Sequence, residues 1–254
     1  MASKPYQRIP IQDCGEPLVA IPLEQFAVVE PHPYAVLGAP YGERSPYYVR
    51  QGVLAALLQA QANLQQQYPG WRIQIFDAYR PIAVQQFMVD YTYGQLLQLW
   101  QHEHSGETDR QPPQEELLNQ VYQFWAAPSH DLATPPPHST GAAIDITLVD
   151  HQNQVVDMGS AIDEISPRSY PNYFSEQTSS EQTTADQSGA DQPGAKTFHH
   201  HRTILSQAMD SAGFRQHPNE WWHFSLGDQL WAWLGLTQAA ASQNAAVAHY
   251  GRAQ

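Results

Sequence analysis

Two short stretches place metal-binding and proton-transfer side chains close together: His138-Ser-Thr-Gly-Ala-Ala-Ile-Asp145 and Glu220-Trp-Trp-His223. Two imidazoles and a carboxylate make a zinc ligand set, and three protein ligands leave the fourth corner open for water, as hydrolytic zinc sites require. Glu220, three residues before His223, would be close enough to take a proton from that water. Residues three apart on an ideal strand face opposite sides. The arrangement therefore needs Glu220 at an irregular entry to the strand, which Pro218-Asn219 provides. Gly141 permits a backbone conformation that a Cβ would resist, letting His138 fold back toward Asp145.

Asp145 lies in the apolar run Ala-Ala-Ile-Asp-Ile-Thr-Leu, where a buried carboxylate needs hydrogen bonds, a cation or a metal to offset desolvation. Each segment also has a structural reading. An Asp in a strand can be a hydrogen-bonded carboxylate, and a His beside tryptophans can be a packed core residue. Together the two segments are chemically complementary, which favours a site. Arg80, in Asp77-Ala-Tyr-Arg-Pro at a strand end, could hold an oxyanion because a guanidinium offers several donors and stays charged; a structural ion pair with Asp77 is the alternative. His199-His200-His201 is expected on a surface helix, where consecutive side chains diverge. His102 and His104 are expected in a polar, solvated loop, and Asp228-Gln-Leu-Trp-Ala-Trp-Leu-Gly-Leu in core packing.

These residues need a scaffold, and 254 residues at 42% hydrophobic content can bury a real core. A net charge of −13 with no basic patch argues against a nucleic-acid surface and, more weakly, against anionic lipid. With one cysteine, Cys14, no intramolecular disulfide can form, and no stretch approaches a membrane span. The expectation is a cytoplasmic protein.

The sequence predicts one domain: an irregular proline-rich arm over 1–33, a flexible Ser/Gln/Thr/Asp-rich insertion over 175–196, and a tail over 238–254. Ser45-Pro46 reads as a helix start, followed by Val49, Val53, Leu57 and Leu64 at helical spacing and stopped at Pro69-Gly70. Trp71–Phe76 alternates as a strand, Pro81 opens a second helix to about Gln101, and a third fits Pro113–Trp125. Ala142–Val149 and Gln154–Met158 flank Asp-His-Gln-Asn as a hairpin. A helix from about Thr197 to Ala212 leads into the strand Glu220–Leu226. The fold class is α+β, a small, mostly antiparallel sheet of about four strands packed by helices on one face, with the zinc site at the sheet face.

Phe-Asp-Ala-Tyr-Arg-Pro, His-Ser-Thr-Gly-Ala-Ala-Ile-Asp and Glu-Trp-Trp-His-Phe, in that order, resemble the zinc D-alanyl-D-alanine dipeptidases of the VanX type, over about Tyr34 to Phe224. The resemblance implies one zinc ion held by His138, Asp145 and His223, with Glu220 as general base and then acid, and Arg80 on the tetrahedral intermediate. It further implies Asp163, in Met-Gly-Ser-Ala-Ile-Asp, as partner of the substrate ammonium, with Tyr34 in the same pocket. The implied substrate is free D-Ala-D-Ala or a related D,D-dipeptide. A D,D-carboxypeptidase on cell-wall peptides and a non-catalytic peptide-binding scaffold are the alternatives. Pro136 stands where the family usually has a serine, so that hydroxyl contact is absent.

Overall fold

The computed structural model describes residues 4–106, 111–175, 194–238 and 246–253. In chain order its elements begin with β1 (Leu18–Ala20), β2 (Ala27–Val28), α1 (Pro33–Val36), β3 (Tyr48–Arg50) and α2 (Gln51–Gln67). They continue with β4 (Arg72–Asp77), α3 (Ile82–Glu103), α4 (Gln114–Phe124) and β5 (Ala143–Val149). The last are α5 (Ala195–Asp210), β6 (Arg215–Gln216), β7 (His223–Ser225) and α6 (Gln229–Gln238).

The fold is α+β. Among the described residues there are two sheets: a β1–β3 ribbon and a five-stranded sheet of order β2-β4-β5-β7-β6. The larger sheet is mixed, because β2 runs parallel to β4 while the other pairings are antiparallel. Strand β5 is buried along its whole length. Its Ile144, Ile146 and Leu148 meet Ile73 and Ile75 of β4, Val53, Leu57 and Leu64 of α2, and Leu205 and Met209 of α5 in the main core. Each such side chain contributes about 1.5–3 kcal/mol on burial. A second cluster joins Tyr34, Val84, Met88, Val121 and Trp125, with Phe76 packed against it. Phe76 follows Ile75 and points the opposite way, as alternation along a strand requires. The helices therefore do not all gather on one face: α2 and α5 share the main core, and α3 and α4 meet in the second cluster.

Four local expectations are corrected. No helix starts at Ser45-Pro46; Tyr48–Arg50 pairs with Leu18–Ala20 and α2 begins at Gln51, so pairing with a distant strand overrides the local start signal. The arm expected to be irregular carries β1 and β2, and β2 extends the main sheet. After β5 the chain turns at Asp150–Asn153 as expected, but the return leg is shorter than a strand over Gln154–Met158: it pairs through the antiparallel Val149–Val155 bridge, with Asp150 N–H···O Gln154 and Val156 N–H···O Leu148 bonds. His102 lies in the last turn of α3, and His104 caps that helix with its ring stacked on Trp100 at 4.4 Å.

The His199–His201 triplet lies on α5, where His201 alone of the three bonds the Asp157 carbonyl. Most of the expected flexible insertion lies outside the described residues, as does 239–245 of the tail. Residues 246–253 of the tail return to the arm, where Ala248 bridges Ile11. Among the described residues no helix is long and apolar enough to cross a membrane.

Candidate active site

Strand register builds the centre of the site. Asp77 on β4 pairs with Asp145 on β5, and Asp145 pairs with His223 on β7, so three neighbouring strands put one polar side chain each in a single row. Strict alternation would send Asp77 to the same face as Ile75. An irregularity between Ile75 and Asp77 shifts the register and re-aims it into the row.

His138 joins from a 3-10 turn, Pro137–Thr140, directly before β5. Ser139 Oγ donates to the Pro136 carbonyl at 2.7 Å and Thr140 Oγ1 to the Pro137 carbonyl at 2.6 Å. Gly141 then turns the chain with φ of 71°, the left-handed conformation anticipated for it. Buried Arg50 holds this turn, donating from Nε to the Thr140 carbonyl at 2.8 Å and from its backbone N–H to the Gly141 carbonyl.

His138, Asp145 and His223 converge, their ligand atoms all within 4.8 Å of one another. Hydrogen bonds set the tautomers. His138 Nδ1 lies 2.7 Å from the Ala78 carbonyl, which can only accept, so Nδ1 carries the proton and Nε2 presents a lone pair. Ser225 Oγ donates to Asp228 at 2.9 Å and so accepts from His223 Nε2 at 3.3 Å, leaving a lone pair on Nδ1. Those two lone-pair nitrogens stand 3.2 Å apart, and Asp145 oxygens lie 3.2 Å from His138 Nε2 and 3.0 Å from His223 Nδ1. Three acceptors facing one another need a cation. The 3.2 Å between the two nitrogens is close to the edge of roughly 3.3 Å in a tetrahedron with ligand bonds of about 2.0–2.1 Å, and Asp145 turns one oxygen toward each imidazole. The donor set therefore fits a zinc-like divalent ion, and the bonds to Ala78 and Ser225 are the outer contacts that orient imidazole ligands. Burial pushes Asp145 up, but His138 and His223 outweigh it and hold the carboxyl well below the usual range.

Glu220 sits in the turn before β7 rather than in the strand, which meets the geometric condition set by its three-residue spacing. Its Oε2 is 3.8 Å from His223 Nδ1. The flanking indoles fix that turn: Trp221 and Trp222 are each 2% exposed, and Trp221 Nε1 donates to Ser160 Oγ at 2.9 Å. Burial, then the nearby carboxylates Asp145 and Asp163, push Glu220 well above the ordinary range, which suits a group that must exchange a proton.

Arg80 bonds Asp77 Oδ2 through Nε at 2.9 Å and Asp145 Oδ2 through Nη2 at 3.2 Å. It also donates to Gln85 Oε1 at 3.1 Å and packs over the Tyr34 and Trp125 rings. The ion pair with Asp77 and the site position thus coexist. Asp77 is itself held by His32 Nε2 at 3.1 Å and Tyr41 OH at 2.9 Å.

Tyr34, on α1, donates its hydroxyl to Asp163 Oδ2 at 2.7 Å, and Asp163 adopts φ of 64°. Burial, followed by the charge of Asp145, pushes Asp163 up to about 7. All seven sequence-predicted residues thus gather in one region. A narrow cavity runs past six of them, lined by Arg80, His138, Asp145, Asp163, Glu220 and His223. Sequence reading missed three others on its wall: Lys4, Tyr6 and His217. His217 stands three residues before Glu220, a spacing that could have flagged it; its Nδ1 is 3.6 Å from Glu220 Oε1. Nothing local marks Lys4 or Tyr6.

The D-ala-D-ala dipeptidase family matches this chain over residues 27–243. The chain belongs to that family. A curated D-alanyl-D-alanine dipeptidase of Synechocystis is 49% identical over 251 residues, covering 99% of this chain and 97% of that protein. A second, from Escherichia coli, is 30% identical over 96 residues, 38% of this chain and 40% of the relative. A solved structure of the LdcB LD-carboxypeptidase is 14% identical, covers 86% of this chain and 70% of its own, and has a TM-score of 0.38. Family membership makes the protein a peptidase.

Proposed function

We propose that this dipeptidase-family member is a zinc enzyme that hydrolyses D-Ala-D-Ala, or a closely related D,D-dipeptide, to free amino acids in the cytoplasm. The observation that carries the reading is the convergence of His138 Nε2, Asp145 and His223 Nδ1 with Glu220 beside them. In it these three side chains hold one ion per chain. A divalent ion bound there supplies Lewis acidity toward the peptide carbonyl and makes neighbouring water more acidic.

The chain's own groups do the rest. Glu220 takes the proton from the attacking water and returns it to the leaving amine, a dual role its raised affinity for protons supports. Arg80, locked by Asp77, offers donors already oriented toward the charge that develops on the carbonyl oxygen. Asp163, steadied by Tyr34, receives the substrate ammonium. Pairing both termini in a closed pocket selects a dipeptide, because a longer peptide would leave polar groups unpaired there.

The test is amino-acid release by purified protein from D-Ala-D-Ala, L-Ala-L-Ala and a cell-wall pentapeptide, with and without chelator. The reading expects release from the D,D-dipeptide alone, abolished by chelation and restored by zinc. Release from the pentapeptide but not the dipeptide would make the protein a carboxypeptidase, and zinc binding without any release would make it a scaffold.

A further inference from the structure

The cavity carries an anion for one end of a zwitterionic dipeptide, and the amino-terminal arm carries a cation for the other. Lys4 lines the same cavity as Glu220, Arg80 and Asp163. Its position is built rather than incidental. The Lys4 backbone N–H donates to Gln7 Oε1 at 2.9 Å, closing the turn Pro5–Arg8. Gln229 Nε2 holds that turn to α6 through the Ile9 carbonyl at 2.7 Å, and Tyr6 packs on Leu230 and Leu234. At its far end, Lys4 Nζ donates to the Tyr122 carbonyl at 2.8 Å, near the end of α4.

Charge balance gives this placement a purpose. In the proposed reading the divalent ion held by His138, Asp145 and His223 serves the scissile carbonyl, so a substrate carboxylate in this cavity needs a cation of its own. Arg80, the other strong cation on that wall, is the group assigned to the carbonyl oxygen. The two termini of a dipeptide lie on opposite sides of its single peptide bond, so their partners must flank the reacting group. Asp163, bonded to Tyr34, and Lys4, tethered at the Tyr122 carbonyl, are separate groups lining the cavity that holds Glu220 and His223.

Resting on the proposed dipeptidase reading, we infer that the Lys4 ammonium binds the free carboxylate of the substrate and is a specificity-determining residue. It would favour substrates whose scissile bond is one residue from a charged C-terminus, and the aromatic wall of Tyr6, Phe124 and Trp125 would limit what that residue can be.

The experiment compares the parent with Lys4→Met and Lys4→Arg on D-Ala-D-Ala and on its C-terminal amide, alongside zinc content and melting temperature. A charge-assisted contact in a partly buried pocket is worth roughly tenfold to a hundredfold in affinity. Lys4→Met should raise KM for the acid by about that factor, leave kcat within a few-fold, leave the amide nearly unchanged, and keep the zinc. Lys4→Arg should recover much of the loss. Equal losses on acid and amide, or no change on the acid, would overturn the assignment while leaving the dipeptidase reading standing. A parent that fails to cleave D-Ala-D-Ala would remove that reading and this inference together.

Discussion

The centre and the rim of the cavity are built by different means. At the centre, main-chain ladders between β4, β5 and β7 set Asp77, Asp145 and His223 side by side, and His138 follows one turn upstream of β5. At the rim, Tyr34, Asp163 and Lys4 come from a short helix, a loop and the arm, and side-chain hydrogen bonds hold them. A ladder position cannot drift without breaking neighbouring backbone bonds, whereas a rim position is held one bond at a time. Central changes should therefore act all-or-none on chemistry, and rim changes should grade substrate affinity.

The largest expected effect tests the centre. His138→Ala removes one of three ligands, so bound zinc measured by atomic absorption should fall to a small fraction of one per chain, and hydrolysis with it. Unchanged zinc content would take His138 out of the ligand set. Next, Glu220→Ala should keep its zinc yet lose on the order of 10²–10⁴-fold in kcat; turnover near the parental rate would mean that another group is the base.

The rim enters with a pH dependence. Asp163, with its pKa pushed up to about 7, is largely neutral below that pH and pairs with an ammonium only once ionised. Consequently kcat/KM for the dipeptide should rise with pH through about 7, and Asp163→Asn should remove that rise along with roughly tenfold or more of the affinity. A profile of the same shape in the variant would detach Asp163 from substrate binding. If Asp163→Asn instead emptied the metal site, the division between centre and rim would itself fail.

What could be read from the sequence follows the reach of each interaction. Helix α2 was visible because Val53, Leu57 and Leu64 repeat at helical spacing, and α4 and α5 likewise carry their signals within their own length. The His138–Asp145 and Glu220–His223 pairs were visible because each lies in one continuous segment. The strand at Tyr48–Arg50 was not, since its partner Leu18–Ala20 lies some thirty residues earlier in the chain and a Ser-Pro signal pointed elsewhere. His102 reads as loop by its polar neighbours, yet α3 runs past it.

The types and local spacing of the reactive residues, and the helical and strand periods beside them, were determined by sequence alone, because those are properties of a few consecutive side chains. Only the tertiary structure decided that Asp77 turns into the polar row, that the imidazole protons point away from the centre, and that Lys4 reaches the same cavity. Register, tautomer and long-range contact depend on what the packed chain brings alongside, and no short stretch of sequence contains its own neighbours.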